Sequence, residues 1–204
     1  VTPGGRVTAR HLVLALNAQA GRLVPELGAR IMPVTTYMLA TEPLGEARAR
    51  ALIPSGIAVA DVNFVLNYYR RTPDHRLLFG GGVSYSGLDR RGMERALHRT
   101  MRHYFPQLAD VRTDHFWGGH VAITMNRAPE FGRLDRDILF AQGYSGHGVA
   151  LAGLGGKLIA EALAGTAERF DVFARIPHAR FPGGPARTPL LVAAMAWYRL
   201  RDLL

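Results

Sequence analysis

Residues 143–165 constrain this chain more than any other stretch. They run from a strand-like lead into a glycine turn and then an apolar helix. Gly148, Gly153, Gly155 and Gly156 fall inside the helical part, where each costs roughly 1 kcal/mol relative to alanine. A helix with that burden is expected to be approached closely along its backbone. Its start follows Gly146-His147-Gly148, and a helix start presents free N–H groups and the positive end of the dipole. Such an end suits an anion, a phosphate, or a ring that gains negative charge on reduction. The expectation is a bound cofactor.

The rest of the chain narrows the class. Its 204 residues can bury a sizeable core, as one large domain or two small ones. With 48% hydrophobic and 20% charged residues the composition is that of a soluble globular protein, and no apolar run reaches bilayer length. The chain contains no cysteine, so a disulfide framework, a thiolate metal site, a cysteine nucleophile and a cysteinyl cofactor link are all excluded. No cluster of His, Asp and Glu has metal-ligand spacing, and Gly143-Tyr-Ser-Gly146 lacks the final glycine of a hydrolase elbow. The net charge of +9 comes from arginine, with Lys157 the only lysine. These arginines are spread along the chain rather than striped, which argues against nucleic acid. A cytoplasmic location is expected. The opening Val1-Thr-Pro-Gly-Gly5 reads as the interior of a longer protein.

A pass along the chain gives the order of elements. Residues 8–16 read as a buried strand that breaks at Asn17, and residues 31–42 as a second strand. Residues 57–70 and 76–82 flank Thr72-Pro-Asp-His75 as a hairpin, with Gly80-Gly-Gly82 ending its second arm. Met93, Leu97, Met101, Tyr104 and Leu108 mark an amphipathic helix over residues 89–105, capped by Asp89 and stopped by Pro106. Its other face carries Arg91, Arg95, His98, Arg99 and Arg102. Residues 111–125 are strand-like with an interruption at Trp117-Gly-Gly119, residues 127–132 form a turn, and residues 137–142 feed the glycine-rich helix. The tail over residues 189–204 is an amphipathic helix too short to span a bilayer, and docking on the protein itself is favoured over a membrane surface.

Four stretches carry a resemblance to a known family. They are His11-Leu-Val-Leu-Ala-Leu-Asn-Ala18; Trp117-Gly-Gly-His-Val-Ala-Ile-Thr-Met-Asn-Arg-Ala-Pro-Glu-Phe-Gly132; Gln142-Gly-Tyr-Ser-Gly-His-Gly-Val149; and the tail, with Phe170-Asp-Val-Phe-Ala-Arg-Ile-Pro177, Phe181-Pro-Gly-Gly184 and Trp197-Tyr-Arg-Leu-Arg-Asp202. Together they resemble the C-terminal half of the D-amino-acid-oxidase-like FAD-dependent oxidoreductases, nearest the gamma-glutamylputrescine oxidoreductase-type branch.

The resemblance implies an α/β (α+β) fold, the C-terminal part of a two-layer flavoprotein of the FAD/NAD(P)-binding type. An antiparallel-sheet substrate layer would sit between a nucleotide-layer strand and the closing strand and helix. The expected parts are a partial FAD layer over residues 1–28, a substrate sheet with one helix over 29–125, the flavin strand, turn and helix over 126–168, and a tail over 169–204. The Gly-x-Gly-x-x-Gly fingerprint of such proteins is absent, so the missing N-terminal half of the same protein is an expected partner. The fragment alone is expected to be inactive.

The implied cofactor is non-covalent FAD, with Asn17, Ala18, Gly119, Gly143, Tyr144, Ser145, Gly146, His147, Gly148 and Val149 as contacts. Backbone N–H groups at Gly148 and Val149 suit the charge that reduction builds on the ring. The expected chemistry is hydride transfer from the carbon beside nitrogen of a small-molecule amine or amino acid, such as gamma-glutamylputrescine, an N-methyl amino acid or a D-amino acid.

No obligatory base stands out; His120, Arg127 and Tyr144 are the catalytic candidates. For His120 a satisfied core histidine is the favoured alternative, Trp117 reads as core rather than an aromatic cage wall, and Arg127 with Glu130 reads otherwise as a surface ion pair. Tyr68, Tyr69 and Arg70 are substrate-binding candidates. Alternation puts Tyr68 and Arg70 on one strand face and Tyr69 on the other. The competing reading is a non-catalytic half-protein or a basic interaction module built on the arginine-bearing helix.

Overall fold

The computed structural model describes residues 3–63, 65–84 and 92–201. In chain order the elements are β1 (Leu12–Leu14), α1 (Pro25–Arg30), β2 (Ile31–Thr41), α2 (Glu46–Leu52), β3 (Val59–Ala60), β4 (Tyr68–Arg71), β5 (Leu77–Ser84), α3 (Met93–Tyr104), β6 (Thr113–Thr124), β7 (Glu130–Asp135), β8 (Ile138–Gln142), α4 (Gly148–Leu163), α5 (Glu168–Ala174) and α6 (Arg187–Arg201). The mixed α/β fold has two sheets, one ordered β1-β8-β7 and one ordered β3-β4-β5-β2-β6. Two compact units result: Val1–Pro33 with Val121–Gly184, and Val34–His120 with Pro185–Leu204.

In the first unit β1 runs parallel to β8, while β7 and β8 are antiparallel. β1 is limited to Leu12–Leu14, shorter than the strand expected over 8–16, because its ladder to β8 extends over only those residues. Leu14, Leu27, Ile31, Ala122 and Phe140 form one buried cluster of this unit. Phe131, Leu139, Leu158, Ile159 and Phe170 form another, between β7, β8 and the helices α4 and α5.

In the second unit Tyr37, Leu39, Leu77, Phe79, Leu97, Met101 and Leu108 make the core. One face of the five-stranded sheet thus receives α3, whose apolar spacing is that read from the sequence. The hairpin at Thr72–Arg76 joins β4 to β5, its turn closed by Thr72 N to the Arg76 carbonyl at 2.9 Å.

Several local expectations are corrected. Residues 57–70 are not one strand: β3 and β4 are separated by a loop in which Tyr104 Oη donates to Asp61 at 2.7 Å. The glycine triplet does not end β5, which continues to Ser84. Gly80 is needed there because the Tyr68 ring and the Met38 sulfur occupy the space a β-carbon would fill. β6 runs without interruption, since Gly118 lies over the Tyr37 ring and Gly119 meets no neighbour within 4 Å. The turn expected over 127–132 ends earlier, with Glu130 already paired to Gln142 in β7 and β8. α3 starts after Gly92, at φ +82°; Asp89, the expected cap, and Arg91 lie outside the described residues. The short helices α1, α2 and α5 carry too few periods for a sequence pattern to reveal them.

Candidate functional site

The parallel pair β1 and β8 ends on one side, and both chain exits meet there. Ligands of open α/β sheets bind outside the carboxyl ends of such strands. After β1 the chain turns sharply at Asn17, whose φ is +45°. The Asn17 Oδ1 atom accepts the Gly143 N–H at 3.0 Å, tying the first exit to the second. Ala18 packs against the Leu14 cluster. Both residues were expected at the cofactor; in the structure Asn17 shapes the loop and Ala18 supports it.

The 143–147 loop is tightly wound. Gly143, Ser145 and Gly146 have φ values of +72°, +51° and +96°, in the left-handed region that disfavours side chains. At Gly143 a β-carbon would also strike the Thr124 methyl. Ser145 tolerates the conformation because it is buried and fully engaged. Its N–H donates to the Ala122 carbonyl at 2.9 Å, and its Oγ accepts the Thr124 N–H at 3.2 Å and donates to the Gly143 carbonyl at 3.3 Å. The N–H groups of Gly143, Ser145 and His147 are spent inside the protein, on Asn17, Ala122 and Tyr144, so the donors left for a ligand are those of the helix start that follows.

The loop delivers the chain to α4. His147 caps the helix without a side-chain hydrogen bond and, like Gly146, is exposed. Val149 is fully exposed in the first turn, where the helix cannot satisfy its own N–H groups. No acidic residue sits in that turn, so the dipole end is uncompensated. Tyr144 points elsewhere: its ring meets Phe131 edge-on at 6.3 Å and packs in the α4 cluster. Burial raises the Tyr144 phenol above its ordinary range, which keeps it protonated at neutral pH.

The glycines of α4 divide by face. At Gly155 a β-carbon would lie 3.1 Å from Phe131, so the helix sits close on β7 there. Gly153 and Gly156 meet nothing within 4 Å among the described residues. The close approach expected for all of the helix glycines is therefore present at Gly155 and absent at these two.

The second unit carries the substrate candidates. Tyr69 is core: it stacks on Phe79 at 5.9 Å and meets Phe105 edge-on at 5.0 Å. Tyr68 and Arg70 therefore occupy the opposite face, where Tyr68 Oη and Thr36 Oγ1 are 2.8 Å apart. On β6, Phe116 stacks on Tyr37 at 5.6 Å, so alternation puts Trp117 and Gly119 on the Tyr68 face. Trp117 is 46% exposed, which corrects its reading as core. His120 is exposed rather than a core histidine, with Nδ1 3.1 Å from Thr35 Oγ1. Thr36, Met38 and Trp117 thus join Tyr68 and Arg70 on one face. The parity of β6 against Phe116 could have shown this, had the strand been read as continuous.

Arg127 and Glu130 do not form a surface pair. Glu130 is buried at 2% exposure and accepts from Arg30 at 2.6 Å and from Gln142 Nε2 at 2.7 Å. Arg127 sits in the turn before β7 at φ +64°. Nothing in the local pattern of residues 127–132 announces Arg30, which lies 100 positions away from Glu130.

Comparison with known proteins places this geometry in a family. The model described as FAD dependent oxidoreductase (DAO) matches residues 1–162. The chain is 48% identical over 205 residues to the gamma-glutamylputrescine oxidoreductase of Escherichia coli K12, covering all of this chain and 48% of that protein. The probable oxidoreductase OrdL of Haemophilus influenzae is 40% identical over 176 residues, 84% of this chain and 40% of that protein. The chain thus spans about half the length of these curated relatives.

Among solved structures, the L-proline dehydrogenase from P. horikoshii aligns at a TM-score of 0.64 and 22% identity over 80% of this chain and 45% of that one. The glycine oxidase from Geobacillus kaustophilus aligns at 0.64 and 20% over 79% and 43%. Both likenesses concern the fold. The family is FAD-dependent, and these 204 residues offer no cysteine for a covalent flavin link. By its matched residues and its identity to these relatives, the chain belongs to the FAD-dependent oxidoreductases of the D-amino-acid-oxidase type.

Proposed function

We propose that this chain is the flavin-ring half of an enzyme that oxidises the C–N bond of an amine or amino acid. The observation that carries the reading is the wound 143–147 loop opening into an uncompensated helix start at the carboxyl ends of β1 and β8. These residues fit a flavin: the entry at Gly146 is open, the first-turn N–H groups are free of helical partners, and the loop backbone is held from behind by Asn17 and Ser145. When bound, FAD supplies the acceptor for the hydride equivalents.

The chain's own residues then have three tasks. The Gly148 and Val149 N–H groups stabilise negative charge at the ring edge through fixed, preorganised dipoles. Within the second unit by itself, Tyr68, Arg70 and Trp117 offer an aromatic and cationic face suited to an amine that bears a carboxylate. Alignment of the reacting carbon, rather than a dedicated base, suffices when the amine arrives unprotonated. His120 and Arg127 remain candidates for that alignment.

The substrate class rests on the Escherichia coli relative, named for gamma-glutamylputrescine. A further segment of the same protein supplying the dinucleotide fingerprint is part of the proposal. Its support is the half-length overlap with the relatives, together with exposed Leu12 and Val13 on β1. A strand parallel to its neighbour is normally covered on both faces.

The test is anaerobic titration of the full-length, flavin-loaded protein with gamma-glutamylputrescine, N-methyl amino acids and D-amino acids. The flavin band is expected to bleach with one amine class and not with the corresponding alcohol. A full-length product that binds no flavin, or a bound flavin that no amine reduces, overturns the proposal.

A further inference from the structure

One charged surface plays no part in this redox reading. The apolar side of α3, with Met93, Leu97, Met101 and Tyr104, packs into the second unit's core. On its other side Arg95, Arg99 and Arg102 recur at helical spacing, placing three guanidiniums on one face over about 10 Å. That face walls a cleft of about 490 Å³, closed on the far side by residues 110–113. His98 joins the two walls through Nε2, which donates to the Val111 carbonyl at 3.0 Å.

The charge balance of the cleft is uneven. Asp110 is engaged by Arg48 at 2.5 and 3.1 Å, and Arg112 by Glu42 at 2.7 and 3.1 Å. Asp110 also acts electrostatically on Arg102, so the cleft sets Glu94 and a shared Asp110 against three arginines. Among the described residues, Arg95, Arg99 and Arg102 have no carboxylate within ion-pair distance. Like charges at this spacing work slightly against helix stability, a repulsion that a bound anion relieves. Guanidinium forks match phosphate oxygens bidentately, and the cleft has the size of a small-molecule site. Glu94 and Asp110 also line it, confining the positive field to one short concavity. An extended nucleic-acid backbone needs a continuous basic stripe instead.

We propose that the α3 cleft binds a small polyphosphate-bearing anion, its phosphoryl groups bridged by Arg95, Arg99 and Arg102. The site is separate from the flavin reading, and its test does not depend on flavin. Binding of sodium tripolyphosphate to the protein is measured by titration calorimetry at fixed ionic strength. The variants are the triple Arg95→Ala, Arg99→Ala, Arg102→Ala and a control triple, Arg136→Ala, Arg175→Ala, Arg180→Ala. The control removes the same charge from exposed positions elsewhere.

Saturable one-to-one binding is expected, weakened about tenfold or more by the cleft triple and changed less than about twofold by the control. Arg99→Lys keeps the charge but not the fork and is expected to give an intermediate loss, which covers the case of a cleft triple that fails to fold. A nucleoside triphosphate binding through the same arginines identifies the physiological form as a nucleotide. Equal weakening by both triples, absence of saturable binding, or tighter binding of single-stranded RNA than of tripolyphosphate overturns the proposal.

Discussion

Ser145 holds a backbone conformation that few side-chain-bearing residues adopt, and its hydrogen bonds to Thr124, Ala122 and Gly143 keep it there. The glycines around it are legible in the sequence as a turn. The roles of Ser145 and Asn17 are not, because a Ser or Asn beside glycine reads the same whether it holds the loop or touches a ligand. Glu130 shows the same limit: its partner Arg30 is distant in sequence, and only the fold brings the pair together.

His178 adds a pH dependence at this scale. It is partly buried, and neither ring nitrogen has a hydrogen-bond partner of normal geometry. Burial lowers its pKa below the ordinary 6.5; Glu130 and a weak interaction with the Pro129 carbonyl oppose the shift, and Arg30 reinforces it. The unfolded chain therefore binds the His178 proton more readily than the fold does. Stability falls as pH drops below the unfolded value and levels off beneath the folded one. Melting temperatures between about pH 7.5 and 5.5 are expected to decline, and His178→Gln to flatten the decline. An unchanged slope in the variant would locate the effect in another group.

At the scale of elements, long periodic segments were the legible ones. β2 follows its β-branched and aromatic composition and α3 its apolar spacing, while the hairpin turn at residues 72–76 is where its Pro-Asp signal put it although its arms differ in extent. β6 did not, since Trp117-Gly-Gly119 has the composition of a breaker and only cross-strand packing against Tyr37 shows that the ladder continues.

For α4 the sequence shows the glycines as a group, and only the packing separates them. Gly155 lies close on Phe131, whereas Gly153 and Gly156 face open space among the described residues. Gly153→Ala and Gly156→Ala are therefore expected to raise the stability of this chain by about 1 kcal/mol each through helix propensity. Chemical denaturation reads that gain. In the full-length protein the same changes are expected to lower flavin content, if that helix face meets the rest of the enzyme closely. A gain in stability with undiminished flavin content would mean that these two glycines serve no contact.

At the scale of the whole molecule, family resemblance supplied what periodicity alone did not. Element order suggested a chain leaving one layer, building an antiparallel sheet, and returning. The structure has two units, the first formed from both ends of that path and the second from its middle together with the tail. The sequence pattern marks the glycine-rich strand, turn and helix because they are local, whereas the first unit resumes earlier, at Val121. The pattern could not locate the boundaries, because β2 and β6 each continue across them as single strands.

The central claim is that the start of α4 faces the flavin ring. Val149 lies in the first helical turn, where proline is tolerated but removes a backbone donor. The decisive measurement is the midpoint potential of the bound flavin in the full-length protein carrying Val149→Pro, compared with Val149→Ala. Loss of one hydrogen bond to developing charge is expected to lower the two-electron potential by about 30–60 mV in the proline variant alone. Equal potentials in the two variants, with flavin retained in both, would contradict it.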